Sequence, residues 1–227
     1  MKPNPDTITI PRRRLLQLAG GAVVVTLLGS TLGNGLSLAA LHGDKKMKIL
    51  VLTGSPRKKG TSALLADEFI TGALEKGHDV QRIDAAFEEV GPCRACYYCD
   101  SHGGQCVQRD SMDKILPAVL AADMIVLVTP IYYYNMSAQL KVVMDRFRAK
   151  RDELRTLSKK SAMFATCGGP AEWSMDAVDA NYHCILKYLP WEDQGVLYAK
   201  AVYAREDIEG TGHPAEARRM GLALPQA

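Results

Sequence analysis

From Met47 onward, short apolar segments alternate with segments of helical periodicity, and this alternation limits the folds open to the chain. Segments suited to buried strands occupy 48–53, 124–129 and 161–166, and weaker strands are predicted at 79–84 and 194–199. Helices are predicted at 62–76, from 110 or 111 to 122, at 138–148 and at 174–189. Strands and helices in alternation predict the α/β class, with helices on both faces of a parallel sheet.

The number of strands narrows this prediction to a flavodoxin-like, doubly wound sheet of five parallel strands in the order 2-1-3-4-5. In such a sheet, ligands bind beyond the carboxyl ends of the strands, at the switch point between the first and third strands. The loops to inspect for a site are therefore 54–62, 129–137 and 167–173.

The first of these loops, Gly54 to Ser62, joins a buried strand to the beginning of a helix. Free backbone N–H groups and the helix dipole make such a position an anion site. Hydroxyl groups, a cation and a glycine add to it, at Ser55, Arg57, Gly60, Thr61 and Ser62. The loop matches neither a Walker A motif nor Gly-x-Gly-x-x-Gly. A terminal phosphomonoester such as that of FMN fits it better, and the alternative is a solvated basic turn.

The second and third loops supply groups suited to a flat ring. Three successive tyrosines at a strand end are poor core residues, because each buried hydroxyl needs a partner. We therefore predict that the second loop flanks an isoalloxazine ring, through Pro130, Ile131, Tyr132, Tyr133 and Asn135. In the third loop, Gly168 and Gly169 allow the backbone to approach a ligand closely.

Four of the six cysteines lie within a cysteine-rich loop at residues 91–107. Thiolates two residues apart in a loop can converge on one centre, and this run is typical of a [4Fe–4S] ligand set. The candidate ligands are Cys93, Cys96, Cys99 and Cys106. The residues leave two alternatives open, a structural zinc site and a set of metal-free thiols or disulfides.

Residues 1–39 are interpreted as a twin-arginine export signal. Arg12 and Arg13 precede an uncharged, moderately apolar stretch, and Ser37-Leu38-Ala39 supplies small residues at a cleavage site. A linker at 40–46, the domain at 47–205 and a C-terminal tail at 206–227 would follow. This predicts a periplasmic or membrane-associated protein. The alternatives are an uncleaved anchor and a cytoplasmic product that starts at Met47.

The charge distribution argues against nucleic acid as a partner. The formal net charge of +3 arises within residues 1–40, so the rest of the chain is electrically balanced. A nucleic-acid binder should carry a basic face on its folded body. The sequence predicts no such face.

Several of these motifs together resemble the NADPH-dependent FMN reductase family, including its iron–sulfur flavoproteins. The shared residues are the 54–62 loop, the 92–99 cysteine run with Cys106, and 129–133, with further matches at 110–112, 139–141 and 145–146. The resemblance covers about residues 47–200. It implies FMN at the first two loops, and a homodimer or homotetramer with the flavin near a subunit interface.

These expectations combine into an FMN-dependent oxidoreductase. A donor, NAD(P)H or a quinol, would reduce the flavin, which would pass electrons to a small-molecule or protein acceptor. Because the flavin carries the chemistry, no separate catalytic residue is predicted. Export favours a quinol, since NAD(P)H is a cytosolic reductant. The alternative is an electron carrier, flavodoxin-like or an iron–sulfur flavoprotein, without a small-molecule substrate of its own.

Overall fold

A computed structural model describes residues 46–225 of the chain. Its strands are β1 (Lys48–Thr53), β2 (Asp79–Asp84), β3 (Met124–Tyr132), β4 (Asn135–Met136), β5 (Lys160–Thr166) and β6 (Glu192–Ala199). Its α-helices are α1 (Thr61–Glu75), α2 (Tyr98–Ser101), α3 (Met112–Ala121), α4 (Ala138–Arg146), α5 (Arg151–Leu154), α6 (Asp176–Tyr188), α7 (Arg205–Glu209) and α8 (His213–Leu222). Single 3₁₀ turns occupy Ala85–Phe87, Phe147–Lys150 and Glu172–Met175.

The five long strands are parallel and lie in the order β2-β1-β3-β5-β6. This confirms the predicted α/β fold and its 2-1-3-4-5 order. The two-residue strand β4 was not predicted, and it pairs antiparallel with the end of β3. The central strands are buried almost throughout, as expected for a sheet covered on both sides.

Side chains of the central strands alternate between two hydrophobic cores. One core contains Leu50, Leu52, Ile125 and Leu127, and it packs against α3, α4 and α6. The other contains Ile49, Val51, Val126 and Phe164, and it packs against α1 and α8. This two-sided burial fixes the strand register, since a slip of one residue would exchange the faces.

The segment predicted as a C-terminal tail is instead mostly helical and continues the second core. Ala217 and Leu224 are buried in that core. Helices α1 and α8 approach closely at two glycines. A Cβ placed on Gly72 would lie 2.2 Å from the backbone oxygen of Arg218, and one on Gly221 would lie 2.4 Å from that of Phe69. The folded unit therefore extends past residue 205.

The interpretation of the N-terminus falls mostly outside the described residues. The predicted export signal at 1–39, and the linker at 40–46 except for its last residue, belong to the part of the chain that the structure does not describe. Between residues 46 and 225, every helix is too short or too polar to cross a bilayer.

Candidate functional site

A cavity of about 450 Å³ lies at the carboxyl ends of β1, β3 and β5, where the topology predicts a ligand. We call it the crevice. Its lining residues come from all three inspected loops and from a fourth segment after β6. They are Ser55, Arg57, Gly60, Thr61, Ser62, Pro130, Ile131, Tyr132, Thr166, Cys167, Gly168, Val202 and Tyr203.

The beginning of α1 forms one end of the crevice. Gly60 occupies the N-cap position, and no side chain caps the helix. The first N–H groups of an α-helix have no partner within the helix, so they are available to an anion. Ser55, Thr61 and Ser62 lie beside them and are themselves buried. This end of the crevice therefore presents several donors to one point.

Hydrogen bonds between the strand ends and the beginnings of α1 and α4 hold the surroundings of the crevice in place. The hydroxyl groups of Thr61 and Thr166 share a hydrogen bond of 2.8 Å, which joins α1 to β5. The hydroxyl of Ser137 donates to the backbone oxygen of Gly54 at 2.7 Å. The backbone N–H of Ser137 donates to the hydroxyl of Thr129 at 2.9 Å. These bonds connect the surroundings of the crevice to α1, α4 and the sheet.

The three successive tyrosines, residues 132–134, lie at a tight turn between β3 and β4. Tyr133 and Tyr134 both have positive φ angles, of 46° and 64°, as a two-residue hairpin turn of this type requires. Glycine or asparagine usually occupies these positions, so two tyrosines mark backbone strain. The ring of Tyr133 is wholly exposed, while the ring of Tyr134 lies 4.7 Å from that of Trp173.

The loop after β6 reaches the crevice and was missed by the sequence analysis. The guanidinium carbon of Arg57 lies 5.4 Å from the ring centre of Tyr203, a cation–π contact. A Cβ on Gly168 would come within 3.1 Å of that ring. The N–H groups of Tyr203 and Ala204 both donate to the carboxylate of Asp207 at 2.8 Å. Hence α7 orients the loop, a link that sequence spacing alone does not reveal.

Nine of the twelve predicted flavin-site residues line the crevice. Tyr133, Asn135 and Gly169 do not. Asn135 lies in β4, where its side-chain oxygen accepts from the N–H of Met136 at 2.8 Å. Gly169 lies just outside, and its backbone oxygen accepts from the N–H of Ala201 at 3.2 Å. Tyr133 lies in the turn between β3 and β4 with its ring exposed.

All four predicted ligand cysteines line a second cavity, of about 260 Å³. Within the described residues, which include all six cysteines, every thiol is free. No group of three or more His, Cys, Asp or Glu side chains between residues 46 and 225 is arranged to hold a metal ion. The structure thus gathers the four cysteines at one cavity without a formed metal site.

The cysteine loop, residues 91–107, is fixed at its base by Arg146, which is 2% exposed. Its guanidinium donates to both carboxylate oxygens of Asp110, at 2.5 and 3.2 Å. It also donates to the backbone oxygen of Gly91 at 2.8 Å and to the sulfur of Cys106 at 3.3 Å. The carboxylate in turn accepts from the N–H groups of Gly91 and Met112.

Asp110 and Cys99 are among the ionisable groups around this loop that have shifted pKa values. Burial raises the pKa of Asp110, but the hydrogen bonds from Arg146, Met112 and Gly91 outweigh it, so the pKa lies below its usual range. Burial raises the pKa of the Cys99 thiol, and the neighbouring carboxylate of Asp100 adds to the rise. The ion pair at the base of the loop is therefore charged at neutral pH.

Comparison with known proteins agrees with this geometry. A family model described as NADPH-dependent FMN reductase matches residues 47–185. An iron–sulfur flavoprotein of Methanocaldococcus jannaschii is 39% identical over 105 residues, which are 46% of this chain and 54% of that protein. The chain therefore spans about half the length of that relative. An iron–sulfur flavoprotein of Methanosarcina thermophila is 32% identical over 60% of this chain and 71% of its own length.

Among solved structures, the chain is similar to an FMN-dependent NADH-azoreductase of Bacillus anthracis in complex with FMN. The TM-score is 0.58, the identity is 17%, and the match covers 77% of this chain and 97% of that one. At this identity the likeness bears on the fold alone.

Proposed function

Because the chain belongs to the NADPH-dependent FMN reductase family, we propose that it is a flavin-dependent oxidoreductase with FMN in the crevice. The observation that carries this proposal is the uncapped beginning of α1, which faces a cavity at the switch point of the sheet. FMN ends in a phosphomonoester, the group that such a position favours.

The phosphate end of FMN would be held by the first turn of α1. Its backbone N–H groups would donate to the phosphate oxygens, together with the hydroxyl groups of Ser55, Thr61 and Ser62. Arg57 supplies a positive charge at this end. Gly60 fits the tight loop, because a Cβ there would lie 3.1 Å from the Cβ of Arg57 and 3.2 Å from its backbone oxygen.

The ring end would lie against the end of β3 and the loop after β5. Pro130, Ile131 and Tyr132 line it at the end of β3, and Cys167 and Gly168 line it after the neighbouring strand β5. Bound FMN supplies hydride and electron transfer, while the protein binds and orients it. The exposed aromatic side chains that line the crevice, Tyr132 and Tyr203, offer a surface for a flat acceptor or for the donor.

We further propose that Cys93, Cys96, Cys99 and Cys106 ligate a [4Fe–4S] cluster. Their spacing, their shared cavity and the names of the two archaeal relatives support it. The donor set is soft thiolate sulfur, which suits iron–sulfur chemistry. Iron and sulfide contents of about four per chain after anaerobic preparation would support the cluster. Zinc in its place, or free thiols, would contradict it.

The donor and the location belong together in this proposal. NAD(P)H is the donor that the family implies, and it suits a cytoplasmic product. A quinol is the donor we propose if the N-terminal segment exports the protein. Tagging the full-length chain at its C-terminus and fractionating cells, with and without substitution of Arg12 and Arg13 by lysine, tests export.

A homodimer or homotetramer is proposed as the assembly, and light scattering on the holoprotein measures it.

Visible spectroscopy and steady-state turnover test the function. We expect the purified protein to show flavin absorbance, or to gain it with added FMN, and to reduce quinones or azo compounds with NADPH. A protein that stays colourless and rejects FMN would contradict the proposal. Turnover that requires a protein partner would instead favour an electron carrier.

A further inference from the structure

We propose that Arg146 is a positioning residue that closes the cysteine loop before any metal binds, and that α4 thereby ties this loop to the crevice. The inference deepens the proposed function, since its first readout rests on the cluster proposed above. The proposal gives Arg146, and not the four cysteines, the task of joining the two ends of the loop.

The contacts of Arg146 close the loop on itself. One nitrogen of its guanidinium, Nη1, donates to the backbone oxygen of Gly91, where the loop begins. The other, Nη2, donates to the sulfur of Cys106, near the end of the loop. Both nitrogens also donate to Asp110, and the second carboxylate oxygen accepts from the N–H of Gly91. One guanidinium thus joins the two ends of the loop.

The loop needs such a closure because its own backbone supplies little regular structure. Between Gly91 and Cys106, the one α-helical segment is the four-residue α2. Four residues of this stretch have positive φ angles, and two of them, Ala95 and Tyr97, are not glycine. Holding two ends of a flexible loop together costs entropy. A tether present before the metal removes that cost from the binding step.

Helix α4 carries the closure back to the crevice. Ser137 caps its beginning, and the hydroxyl of that residue donates to the backbone oxygen of Gly54, which precedes Ser55 of the crevice. Arg146 is the last residue of the same helix. A helix of this length spans about 13 Å. Because both ends are tied, one rigid element sets the distance between the crevice and the cysteine loop.

The planar fork of arginine is what the geometry requires, so Arg146→Lys is the informative variant. Lysine keeps the positive charge but loses the paired donors. Arg109→Met is the matched control. It removes a positive charge just beyond the end of the loop, but Arg109 lines neither cavity and forms an exposed ion pair with Asp113, at 3.9 Å.

The first measurement uses the full-length chain loaded anaerobically with ferrous iron and sulfide, then mixed with a ferrous chelator. We expect Arg146→Lys to lose iron about 10–100 times faster than the native protein, as for other outer-shell partners. Arg109→Met should change the rate by less than about threefold, as expected for an exposed ion pair. Equal rates in the native protein and Arg146→Lys would overturn the proposal.

The second measurement needs no cluster, so failure of the cluster proposal and failure of this one are distinguishable. Hydrogen exchange of the metal-free protein should be about tenfold faster at residues 92–107 in Arg146→Lys, as for a lost charge-assisted hydrogen bond. Exchange in β3 should not change. A native protein that takes up no iron, with faster loop exchange in the variant, rejects the cluster and keeps the tether. Unchanged loop exchange rejects the tether.

A double variant guards against simple misfolding. Arg146→Met alone leaves the carboxylate of Asp110 buried without its partner, which is strongly destabilising. Arg146→Met with Asp110→Asn removes both charges. The N–H groups of Gly91 and Met112 donate to different oxygens of Asp110, so the single amide oxygen keeps an acceptor for one of them. We expect this variant to bind FMN like the native protein while its loop exchanges faster. Native exchange at 92–107 in this variant would count against the tether.

Discussion

The crevice and the cysteine loop lie at opposite ends of α4 and are built in different ways. The crevice is formed by backbone, at the ends of three parallel strands and the beginning of a long helix. The cysteine loop is irregular backbone held by one buried side chain. Substitutions that add atoms to the backbone should therefore disrupt the crevice, and substitutions that remove hydrogen bonds should disrupt the cysteine loop.

The largest effect that tests this contrast comes from Gly54→Ala. A Cβ at this position would lie 2.3 Å from the hydroxyl oxygen of Ser137 and 2.7 Å from the Cβ of Leu140. We expect the free energy of unfolding to fall by about 1–3 kcal/mol, as for other overpacked sites, and FMN binding to weaken sharply. Chemical denaturation and a flavin titration measure both quantities.

Gly212→Ala is the control for that variant, since a Cβ there would contact nothing within 4 Å and its φ angle is −75°. Its stability should equal that of the native protein or exceed it slightly. If both glycine variants behaved alike, the crevice would not depend on close backbone packing.

The next effect separates the two ends of the crevice. Arg57→Ala should weaken FMN binding on the order of 10–100-fold, because a hydrogen bond to a charged group contributes about 1.5–3 kcal/mol. Riboflavin lacks the phosphate, so its affinity should be nearly the same for both proteins. Fluorescence titration with the two ligands gives the ratio. An equal loss of affinity for FMN and riboflavin would indicate that Arg57 acts on the ring end and not on the phosphate.

A smaller effect concerns Tyr203, which contacts Arg57 from the loop after β6. An exposed cation–π contact contributes about 0.5–1 kcal/mol, so Tyr203→Ala should weaken FMN binding by only about two- to fivefold. Tyr203→Phe should retain native affinity, since the ring and not the hydroxyl makes the contact.

Tyr188→Ala is the control for this aromatic contact. Tyr188 makes a similar contact with Arg155, at 5.1 Å, on a different part of the surface. Weakened FMN binding in Tyr188→Ala, or unchanged FMN binding in Tyr203→Ala, would show that the loop after β6 does not contribute to FMN binding in the crevice.

These residues show how far the sequence predicts the molecule and where it does not. Buried apolar strands and the 54–62 loop are local patterns, so the sheet order and most of the crevice followed from them. Tyr203 and Arg146 act on partners far away in the sequence, at Arg57 and at Gly91. No local pattern marks such contacts.

The C-terminal helices were missed for a related reason. The segment 206–222 is polar and contains glycines and a proline, features typical of a tail. Gly221 in fact allows α8 to approach α1 closely, and Pro214 lies near the beginning of α8, where proline is favoured. Packing against α1 decides the structure here, and packing is invisible in a single sequence.

The smallest predicted effect involves neither site and sets the background for pH studies of both. His78 is buried, and its Nδ1 accepts from the N–H of Met47 at 3.3 Å. Burial lowers the pKa of this imidazole below 6.5. The charge of Lys76 lowers the pKa further, and the charge of Asp79 opposes the shift in part. As the pH falls, this imidazole is protonated at a higher pH in the unfolded chain than in the folded one. The free energy of unfolding therefore falls as the pH drops below about 6.5.

Denaturation of the native protein and of His78→Gln between about pH 7 and pH 5 measures this contribution, in the range where the unfolded imidazole titrates. The variant should have lower stability at pH 7 and a shallower dependence on pH. Parallel curves for the two proteins would assign the pH dependence to other groups.

A crystal structure of the protein with FMN tests the central claim most directly. The account predicts that the phosphate lies within hydrogen-bond distance of the backbone N–H groups at the beginning of α1, beside Ser55, Thr61 and Ser62. A crevice that stays empty at saturating FMN, or FMN bound elsewhere with its phosphate away from α1, would contradict it.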